Sequence, residues 1–162
     1  MTGPVVEIVP LTEQHFPWAR QLWEEAWGSD RVVSRGKVYH LADLPGLVAL
    51  VAGEPSGLLV YCVEGDACEI TSLNSTREGL GLGSRLLEAA AERARQAGCR
   101  RLWLVTTNDN MHALRFYQRR GFRLSALYPG AVDRARQIKP EIPLTGLDGI
   151  PIHDEIELAL DL

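Results

Sequence analysis

Hydrophobic runs and helical spacing alternate along the first third of the chain. Residues 5–9 form an apolar run that predicts a short strand. Residues 12–27 then carry apolar side chains at helical spacing and predict an amphipathic helix, with Pro17 in its first turns, where proline is tolerated. Residues 28–45 mix charged, aromatic and apolar positions, a pattern compatible with either a short helix or a loop over a pocket.

Three hydrophobic runs rich in β-branched residues follow. They occupy residues 47–52, 57–63 and 67–73, and turn-forming residues separate them at 53–55 and 64–66. Because consecutive strands joined by short turns pair side by side, these runs predict an antiparallel meander.

A glycine-rich segment leads from this meander into an amphipathic helix. The segment Glu78-Gly79-Leu80-Gly81-Leu82-Gly83-Ser84 runs directly into residues 85–96, and Gly98 marks the helix end. A nearly continuous apolar run at 101–106 predicts a strand buried on both faces. The order of strand, helix and strand predicts a parallel crossover.

The last third of the chain predicts one more helix and two more strands. Residues 110–120 are predicted to be helical, and strands are predicted at 122–127 and 155–160. Residues 128–154 between them are rich in proline and glycine and predict a long excursion, of a kind that is often functional. Together the elements predict a mixed α/β domain.

Length and charge limit the possible functions. With 162 residues, 46% of them hydrophobic, the chain has the size of a single domain, which we assign to residues 1–162. Its 17 basic and 21 acidic residues give a net charge of -4, which disfavours nucleic acid and anionic membranes as partners. We expect a cytoplasmic protein, since the chain opens without a basic leader and contains no long apolar span.

Cysteine and histidine positions give no sign of a disulfide framework or a metal site. Cys62, Cys68 and Cys99 lack CxxC spacing and lie in or beside apolar segments, so we expect free core thiols in a reducing compartment. The 4 histidines are scattered without ligand spacing. We therefore expect no bound metal.

The glycine-rich segment predicts an anion-binding site. A glycine turn at the start of a helix leaves backbone N–H groups unpaired with the helix dipole behind them, which suits phosphate oxygens. A dinucleotide-binding GxGxxG would follow the first strand of a doubly wound fold, and a P-loop would end in Gly-Lys-Ser/Thr, which is absent here. The remaining alternative is that the glycines only permit close packing at the helix entrance.

A second motif lies on the next predicted helix. Asn110, Ala113 and Tyr117 fall at i, i+3 and i+7, which places them on one helical face. This face offers a ligand an amide, a small residue and a phenol. The same residues are also compatible with a helix N-cap at Asn110 and a core tyrosine at Tyr117.

Together, the two motifs and the order of elements resemble the GNAT superfamily of acetyl-coenzyme A dependent N-acetyltransferases, most specifically over residues 69–122. The resemblance implies a mixed α/β (α+β) sheet of about seven strands flanked by about four helices, with an antiparallel N-terminal meander and a splayed central parallel pair. It implies acetyl-CoA as co-substrate, with the pyrophosphate on the glycine-rich segment and the pantetheine arm along strand 68–75. The residues that it assigns to coenzyme binding are Leu73, Asn74, Ser75, Gly79, Leu80, Gly81, Leu82, Gly83, Ser84, Asn110 and Tyr117.

The resemblance also implies catalytic roles. Tyr117 is expected to be the general acid that protonates the departing thiolate. Glu69 is the leading candidate for the base that removes the amine proton, and the alternative is a solvated, outward-facing glutamate. A backbone N–H near Leu73 or Asn74, freed by a bulge where the strands part, is expected to bind the thioester oxygen.

We expect the acceptor amine to attack the thioester directly in a ternary complex. A cysteine-linked acyl-enzyme is disfavoured, because neither Cys68 nor Cys99 has a histidine beside it in the sequence. We predict the primary amine of a small molecule, and the acidic balance favours a cationic one. The resemblance places the acceptor pocket among Trp23, Trp27, Arg31, Arg35, Tyr39 and residues 128–153.

Several points stay open at the level of sequence. Glu78 stands where the family usually has Arg or Gln, and its carboxylate would repel a pyrophosphate unless it turns to solvent. The alternatives to small-molecule acetylation are a non-catalytic acyl-CoA sensor and a transferase for protein or peptide amines. His153 with Asp154 or Glu155 is compatible with amine binding or proton relay, and also with a capping role. We expect strand 155–160 to be exposed and able to support a homodimer.

Overall fold

A computed structural model describes residues 3–162, which form one mixed sheet of seven strands, a separate two-stranded hairpin and four α-helices. The strands are Val6–Pro10 (β1), Arg31–Ser34 (β2), Lys37–His40 (β3), Gly46–Val51 (β4), Glu54–Glu64 (β5), Ala67–Ser75 (β6), Arg101–Thr107 (β7), Arg123–Tyr128 (β8) and Glu155–Asp161 (β9). The α-helices are Phe16–Trp27 (α1), Leu82–Gln96 (α2), Met111–Gln118 (α3) and Ala131–Ile138 (α4). Among these residues, no helix is both long and apolar enough to cross a membrane.

The spatial strand order is β1-β4-β5-β6-β7-β9-β8. It confirms the predicted antiparallel meander, which is β4, β5 and β6, and the predicted parallel pair of β6 and β7. A parallel pair needs a crossover, and α2 supplies it because its apolar face, with Leu86 and Ala90, packs onto the sheet.

The parallel pair is short. Within the described chain, the ladder joins residues 67–69 of β6 to 101–103 of β7, and the two strands then separate. On its other side β6 has a bulge at Thr71, opposite the step from Val60 to Tyr61, which bends the strand as it leaves β7. The splayed pair is therefore present, and the bulge lies earlier in the strand than the expected position near Leu73 or Asn74.

Two hydrophobic clusters cover opposite faces of the sheet. Because side chains alternate along a strand, Ala49 of β4 joins the cluster under α2, whereas its neighbour Val48 joins the cluster under α1. Trp23 of α1 is fully buried, and its Nε1–H donates to Ser72 Oγ at 3.0 Å. Trp23 therefore fixes α1 on β6 and does not line the acceptor pocket that we expected it to join.

Residues 28–45 form mainly a β-hairpin, which is neither of the structures expected there. Strands β2 and β3 pair antiparallel around Arg35 and Gly36, and a short 3-10 turn follows at Leu41–Asp43. Both turn residues have positive φ, 51° and 78°, as a two-residue hairpin turn requires. The mixture of polar and apolar residues in this stretch arises because the two paired strands are buried on one face and exposed on the other.

The excursion at 128–154 contains α4, and the chain then returns as β9 between β7 and β8. The expectation of an exposed strand at 155–160 was therefore wrong, because both edges of β9 are paired and β8 forms the sheet edge on that side. A homodimer through β9 thus has no free edge to use.

Candidate active site

A buried carboxylate marks the point where β6 and β7 separate. Glu69 is 3% exposed and accepts hydrogen bonds from Ser34 Oγ at 2.7 Å and from the Tyr39 hydroxyl at 2.5 Å. Burial raises the pKa of Glu69 above its ordinary value, and the two hydroxyl donors partly oppose that rise. The alternative prediction, that Glu69 is a solvated and outward-facing residue, is therefore wrong.

The β2–β3 hairpin covers one face of β6, β7 and β9. Glu69, Trp103 and Glu157 face it, because their immediate neighbours fill the core on the other face of the sheet. At the hairpin tip, the backbone N–H of Arg35 donates to Glu155 Oε2 at 3.1 Å. Two adjacent residues of the hairpin, Ser34 and Arg35, thus donate hydrogen bonds to two different carboxylates, those of Glu69 and Glu155.

This face holds more buried negative than positive charge. Within residues 3–162, no cationic side chain lies within ion-pair distance of Glu69 or Glu155. Burial, with the charge of Glu69, raises the pKa of Glu155. Glu157 differs, because it pairs with Arg101 at 2.8 Å and with Arg35 at 3.4 Å. Two buried carboxylates without an ion-pair partner favour a cationic ligand.

The side chain of Arg35 lies between two aromatic rings. Its guanidinium carbon is 5.1 Å from the ring centroid of Trp103 and 5.1 Å from that of Tyr128. Arg35 also separates two cavities, one of about 220 Å³ and one of about 340 Å³. The smaller cavity is lined by Tyr39, Cys62 and Glu69, and the larger by Ala131 and Ala135 of α4.

The glycine-rich segment forms the N-terminus of α2. Gly81 is the N-cap with φ 67°, and no side chain caps the first N–H groups of the helix. A Cβ added at Gly79 or Gly81 would meet no atom within 4 Å, so open space lies beside these N–H groups. This combination suits an anion. Glu78, the residue that departs from the family pattern, is exposed.

The last two residues of the segment also join α2 to α3. A Cβ at Gly83 would lie 3.1 Å from the Phe116 ring, so glycine here allows the two helices to approach. Ser84 Oγ accepts hydrogen bonds from Arg120 Nε at 3.0 Å and Nη2 at 2.6 Å. Gly83 is therefore needed for close packing of the two helices, as the packing alternative predicted. Gly79 and Gly81 instead border open space. Leu80 and Leu82 pack their side chains into the core.

A groove of about 790 Å³ runs between α2 and α3 and reaches the glycine-rich segment at Ser84. Its lining is rich in basic side chains: Arg95, Arg115, Arg119 and Arg120. Arg120 is held in place, with its guanidinium carbon 3.6 Å from the centroid of the Phe116 ring.

Asn110 and Tyr117 lie on α3 in the positions that the motif predicted. Asn110 is the N-cap, and its Oδ1 accepts the N–H of Ala113 at 3.0 Å. Tyr117 is 7% exposed and packs edge-on against Phe116 and Phe122. Burial raises the pKa of Tyr117, which keeps its phenol protonated. Asn110 thus has the N-cap role and Tyr117 the core role that the sequence also allowed. Contact with a coenzyme stays a prediction for both residues.

The strand residues assigned to the coenzyme lie beyond the paired part of β6. Leu73 packs against the core, and the Ser75 hydroxyl donates to the Arg77 carbonyl at 2.7 Å. In the described chain, Asn74 Oδ1 is the buried side-chain oxygen or nitrogen that has no hydrogen-bond partner.

The sequence profile of the Acetyltransferase (GNAT) family matches residues 12–122. The chain belongs to the GNAT acetyltransferase family. The protein is therefore an acyltransferase. It is also similar to the uncharacterized protein YxbD of Bacillus subtilis, at 41% identity over 158 residues, which cover 97% of this chain and 99% of YxbD.

Solved GNAT structures share the fold. The IAA acetyltransferase from Bacillus cereus superposes with a TM-score of 0.74 at 22% identity, covering 98% of this chain and 100% of that one. A GNAT family acetyltransferase from Elizabethkingia anophelis with acetyl-CoA bound superposes with a TM-score of 0.73 at 21% identity, covering 97% and 98% of the two chains.

Other candidate groups of this GNAT protein lie apart from Glu69 or are inert. Burial raises the pKa of the Cys68 thiol to about 12, so it is a poor nucleophile, and Cys99 is also buried. His153 pairs with Asp133 at 3.0 Å on the surface, while Asp154 accepts the Gly130 N–H. Of the two alternatives left open by the sequence, the pairing of His153 with Asp154 or Glu155 is therefore not formed, and Asp154 instead bonds the main chain before α4. Residues 3–162 contain no group of three His, Cys, Asp or Glu side chains placed to hold a metal ion.

Arg35 and Tyr39, which the sequence predicted for the acceptor pocket, line the cavity beside Glu69, and their contact with an acceptor stays a prediction. Ser34 and Glu157 were not among the predicted residues. Ser34 belongs to a hairpin that the sequence did not reveal. Glu157 occupies a polar position on an alternating strand, which is the usual sign of a solvent-facing residue. The Arg35-Gly36 pair between two alternating segments was the available signal for the hairpin.

Proposed function

We propose that this GNAT protein transfers the acetyl group of acetyl-CoA to a primary amine of a small molecule, by direct attack within a ternary complex. The observation that carries the proposal is the position of Glu69. It is a buried carboxylate without a cationic partner in the described chain, at the last paired residue before β6 and β7 separate. A base is needed at the point where a thioester can enter the sheet.

The donor side rests on the start of α2. The uncapped N–H groups beside Gly79 and Gly81 face open space, which supports a pyrophosphate there. From this point, the pantetheine arm follows β6 into the gap beside β7. The basic groove between α2 and α3 takes the adenosine end.

The acceptor reaches the thioester from the hairpin face. An ammonium group binds beside Glu69 and gives one proton to its carboxylate, and the free amine then attacks the thioester carbon. The raised pKa of Glu69 suits this step, because a base works best when its pKa lies nearer the working pH. Main-chain N–H groups of β6 beyond Glu69, on the edge that faces the gap, stabilise the developing oxyanion.

Collapse of the tetrahedral intermediate breaks the carbon–sulfur bond. Tyr117 gives its phenolic proton to the departing thiolate, and the new amide nitrogen returns one proton to the phenolate. Burial keeps Tyr117 protonated until that moment. The protein ends the cycle with N-acetylated product, CoA and a protonated Glu69 that loses its proton to solvent.

The cavity beside Glu69 favours a small acceptor. It measures about 220 Å³, and Arg35 and Tyr39 of the hairpin form part of its wall. A small amine fits such a cavity, whereas a folded protein substrate needs an open groove for its chain.

The proposal is tested by calorimetry with acetyl-CoA and by CoA release over a panel of small amines and N-terminal peptides. We expect acetyl-CoA binding, turnover with at least one small amine, and loss of turnover in Glu69→Gln with coenzyme affinity kept. Glu7→Gln is the matched control, because Glu7 is an exposed residue of β1 outside the site. Binding without turnover on any amine indicates a sensor, and turnover confined to peptides indicates a protein acetyltransferase. Failure to bind acetyl-CoA overturns all three functions.

A further inference from the structure

Arg35 occupies a position suited to a cation from a ligand. Its guanidinium lies within 5.1 Å of two aromatic centroids, and its Nη1 is 3.4 Å from Glu157 Oε1. Two aromatic faces with a buried carboxylate form a common binding arrangement for organic cations. The chain itself fills this arrangement through Arg35, between the two cavities of the acceptor face.

Glu157 does not depend on Arg35 for its partners. Arg101 Nη2 donates to Glu157 Oε2 at 2.8 Å, Ser125 Oγ donates at 2.7 Å, and the Tyr128 hydroxyl donates at 3.3 Å. The Arg35 side chain can therefore leave without stranding a buried charge.

Arg35 is also placed to move. Its side chain is 43% exposed at the tip of the hairpin. Its contact with the buried Glu157 is 3.4 Å long, against 2.8 Å for the contact of Arg101, so Arg35 is the weaker of the two cationic partners. The backbone of Arg35 is held separately, through its N–H bond to Glu155. The side chain can swing into solvent while the turn stays in place.

We propose that the acceptor carries two cationic groups: a reacting amine beside Glu69, and a second ammonium that replaces the Arg35 guanidinium between Trp103 and Tyr128. This inference rests on the proposed function. Departure of Arg35 joins the cavities of about 220 Å³ and about 340 Å³ into one channel, since Arg35 lines both. The substrate class is a diamine or a larger molecule with two spaced amino groups.

A carboxylate-bearing amine is the competing acceptor, because Arg35 would bind its carboxylate. The charges around Arg35 disfavour this choice. Glu69, Glu155 and Glu157 are each at most 5% exposed and lie on the same face, so a second anion would meet three buried carboxylates.

The test compares short α,ω-diamines with alkyl monoamines of equal chain length and with amino acids. Acetyl transfer is measured as CoA release by the full chain. We expect kcat/KM to be about tenfold or more higher for a diamine than for its matched monoamine. In Arg35→Asn, the KM for the diamine falls, because no internal cation competes, and Arg35→Lys returns KM toward the wild-type value. Asn tolerates the positive φ at this position.

Arg123→Asn is the matched control. It removes an exposed arginine of β8 outside the cavities and is expected to leave the diamine preference unchanged. Equal kcat/KM for diamines and monoamines in the wild type overturns the inference while the proposed function stands. A preference for amino acids that Arg35→Asn abolishes overturns it in favour of the carboxylate reading.

A second measurement decides the cation site even without turnover. Cys62 lines the smaller cavity and is partly exposed, so its alkylation rate reports occupancy. We expect a diamine, but not the monoamine, to bind in calorimetry and to slow alkylation of Cys62 in the wild type. The Cys62→Ser variant identifies the reacting thiol. Absence of diamine binding and of protection overturns the inference, whereas binding and protection without acetylation retain the cation site and reject the proposed function.

Discussion

The Tyr39 hydroxyl donates a hydrogen bond of 2.5 Å to Glu69 Oε1, across from the 2.7 Å bond that Ser34 donates to Oε2. Both donors favour the ionised carboxylate, while burial disfavours it and leaves the pKa of Glu69 raised overall. The hairpin therefore sets the proton affinity of the proposed base.

Tyr39→Phe is expected to shift the acidic limb of the pH–rate profile upward. The variant removes a donor that lowers the pKa of Glu69, so this pKa rises further and a higher pH is needed to ionise the base. The measurement is kcat/KM against pH for both proteins, with the plateau rate largely kept. An acidic limb that stays in place, or moves to lower pH, contradicts the role of Tyr39.

Glu69→Gln is expected to lose activity while gaining stability at neutral pH. Because the folded pKa of Glu69 is raised, its stabilising contribution is complete below the ordinary value of 4.5 and is lost as pH rises through the folded pKa. Glutamine carries no charge at any pH and can still pair with both hydroxyls. The difference in melting temperature between Glu69→Gln and the wild type should be largest near pH 7. It should shrink as the pH falls toward 4.5, the ordinary pKa of a glutamate side chain. If Glu69→Gln melts at a lower temperature than the wild type at neutral pH, the buried charge of Glu69 does not destabilise the fold.

Tyr117→Phe is expected to lower kcat by about 10²-fold or more, the usual loss for a general acid, with little change in affinity for acetyl-CoA. Steady-state CoA release gives kcat, and calorimetry gives the affinity. Tyr61→Phe is the control, since Tyr61 packs against the same core and has no proposed role. Equal effects of the two substitutions would assign Tyr117 to packing alone.

Gly81→Asn is expected to weaken acetyl-CoA binding by about tenfold or more, because its side chain enters the open space beside the first N–H groups of α2. Gly98→Asn is the matched control. Gly98 also has positive φ, 83°, and open space around it, but it lies past the other end of α2. Similar unfolding temperatures with different affinities separate the anion site from backbone strain. Unchanged affinity in Gly81→Asn would leave the segment a structural role.

Glu78→Gln is expected to tighten acetyl-CoA binding, with a larger gain at low ionic strength. Glu78 is exposed and directly precedes the glycines, so its carboxylate repels a pyrophosphate through screened solvent. Titrations at two salt concentrations measure the effect, and Glu7→Gln serves again as the control. A loss of affinity would mean that Glu78 supports the segment and does not oppose the anion.

The helices and the central strands were predictable because their signals are local. The apolar spacing of α2 reflects burial of one helix face against the sheet, which any chain with that burial must show. Strand β7 was predicted at the right place, but it is buried on one face through Leu102 and Leu104, while the other face stays partly exposed. The motif on α3 was equally readable, since Asn110 and Tyr117 share one helical face.

The hairpin over Glu69 could not be predicted in the same way. Its strands have four residues each, and its turn places a non-glycine residue, Arg35, at positive φ. Its stabilising bonds are non-local: Ser34 reaches a carboxylate 35 positions away, and the Arg35 N–H reaches one 120 positions away. No window of sequence contains both partners, so the environment of Glu69 appears only in three dimensions.

The short ladder between β6 and β7 divides the sheet into two blocks. One block is β1-β4-β5-β6 and the other is β7-β9-β8, and in the described chain three residue pairs of main chain join them. A coenzyme arm lying in the gap would act as a removable strand that closes this seam. Cohesion between the two blocks would then depend on coenzyme concentration, so that the substrate donor is at the same time part of what keeps the catalytic face in register.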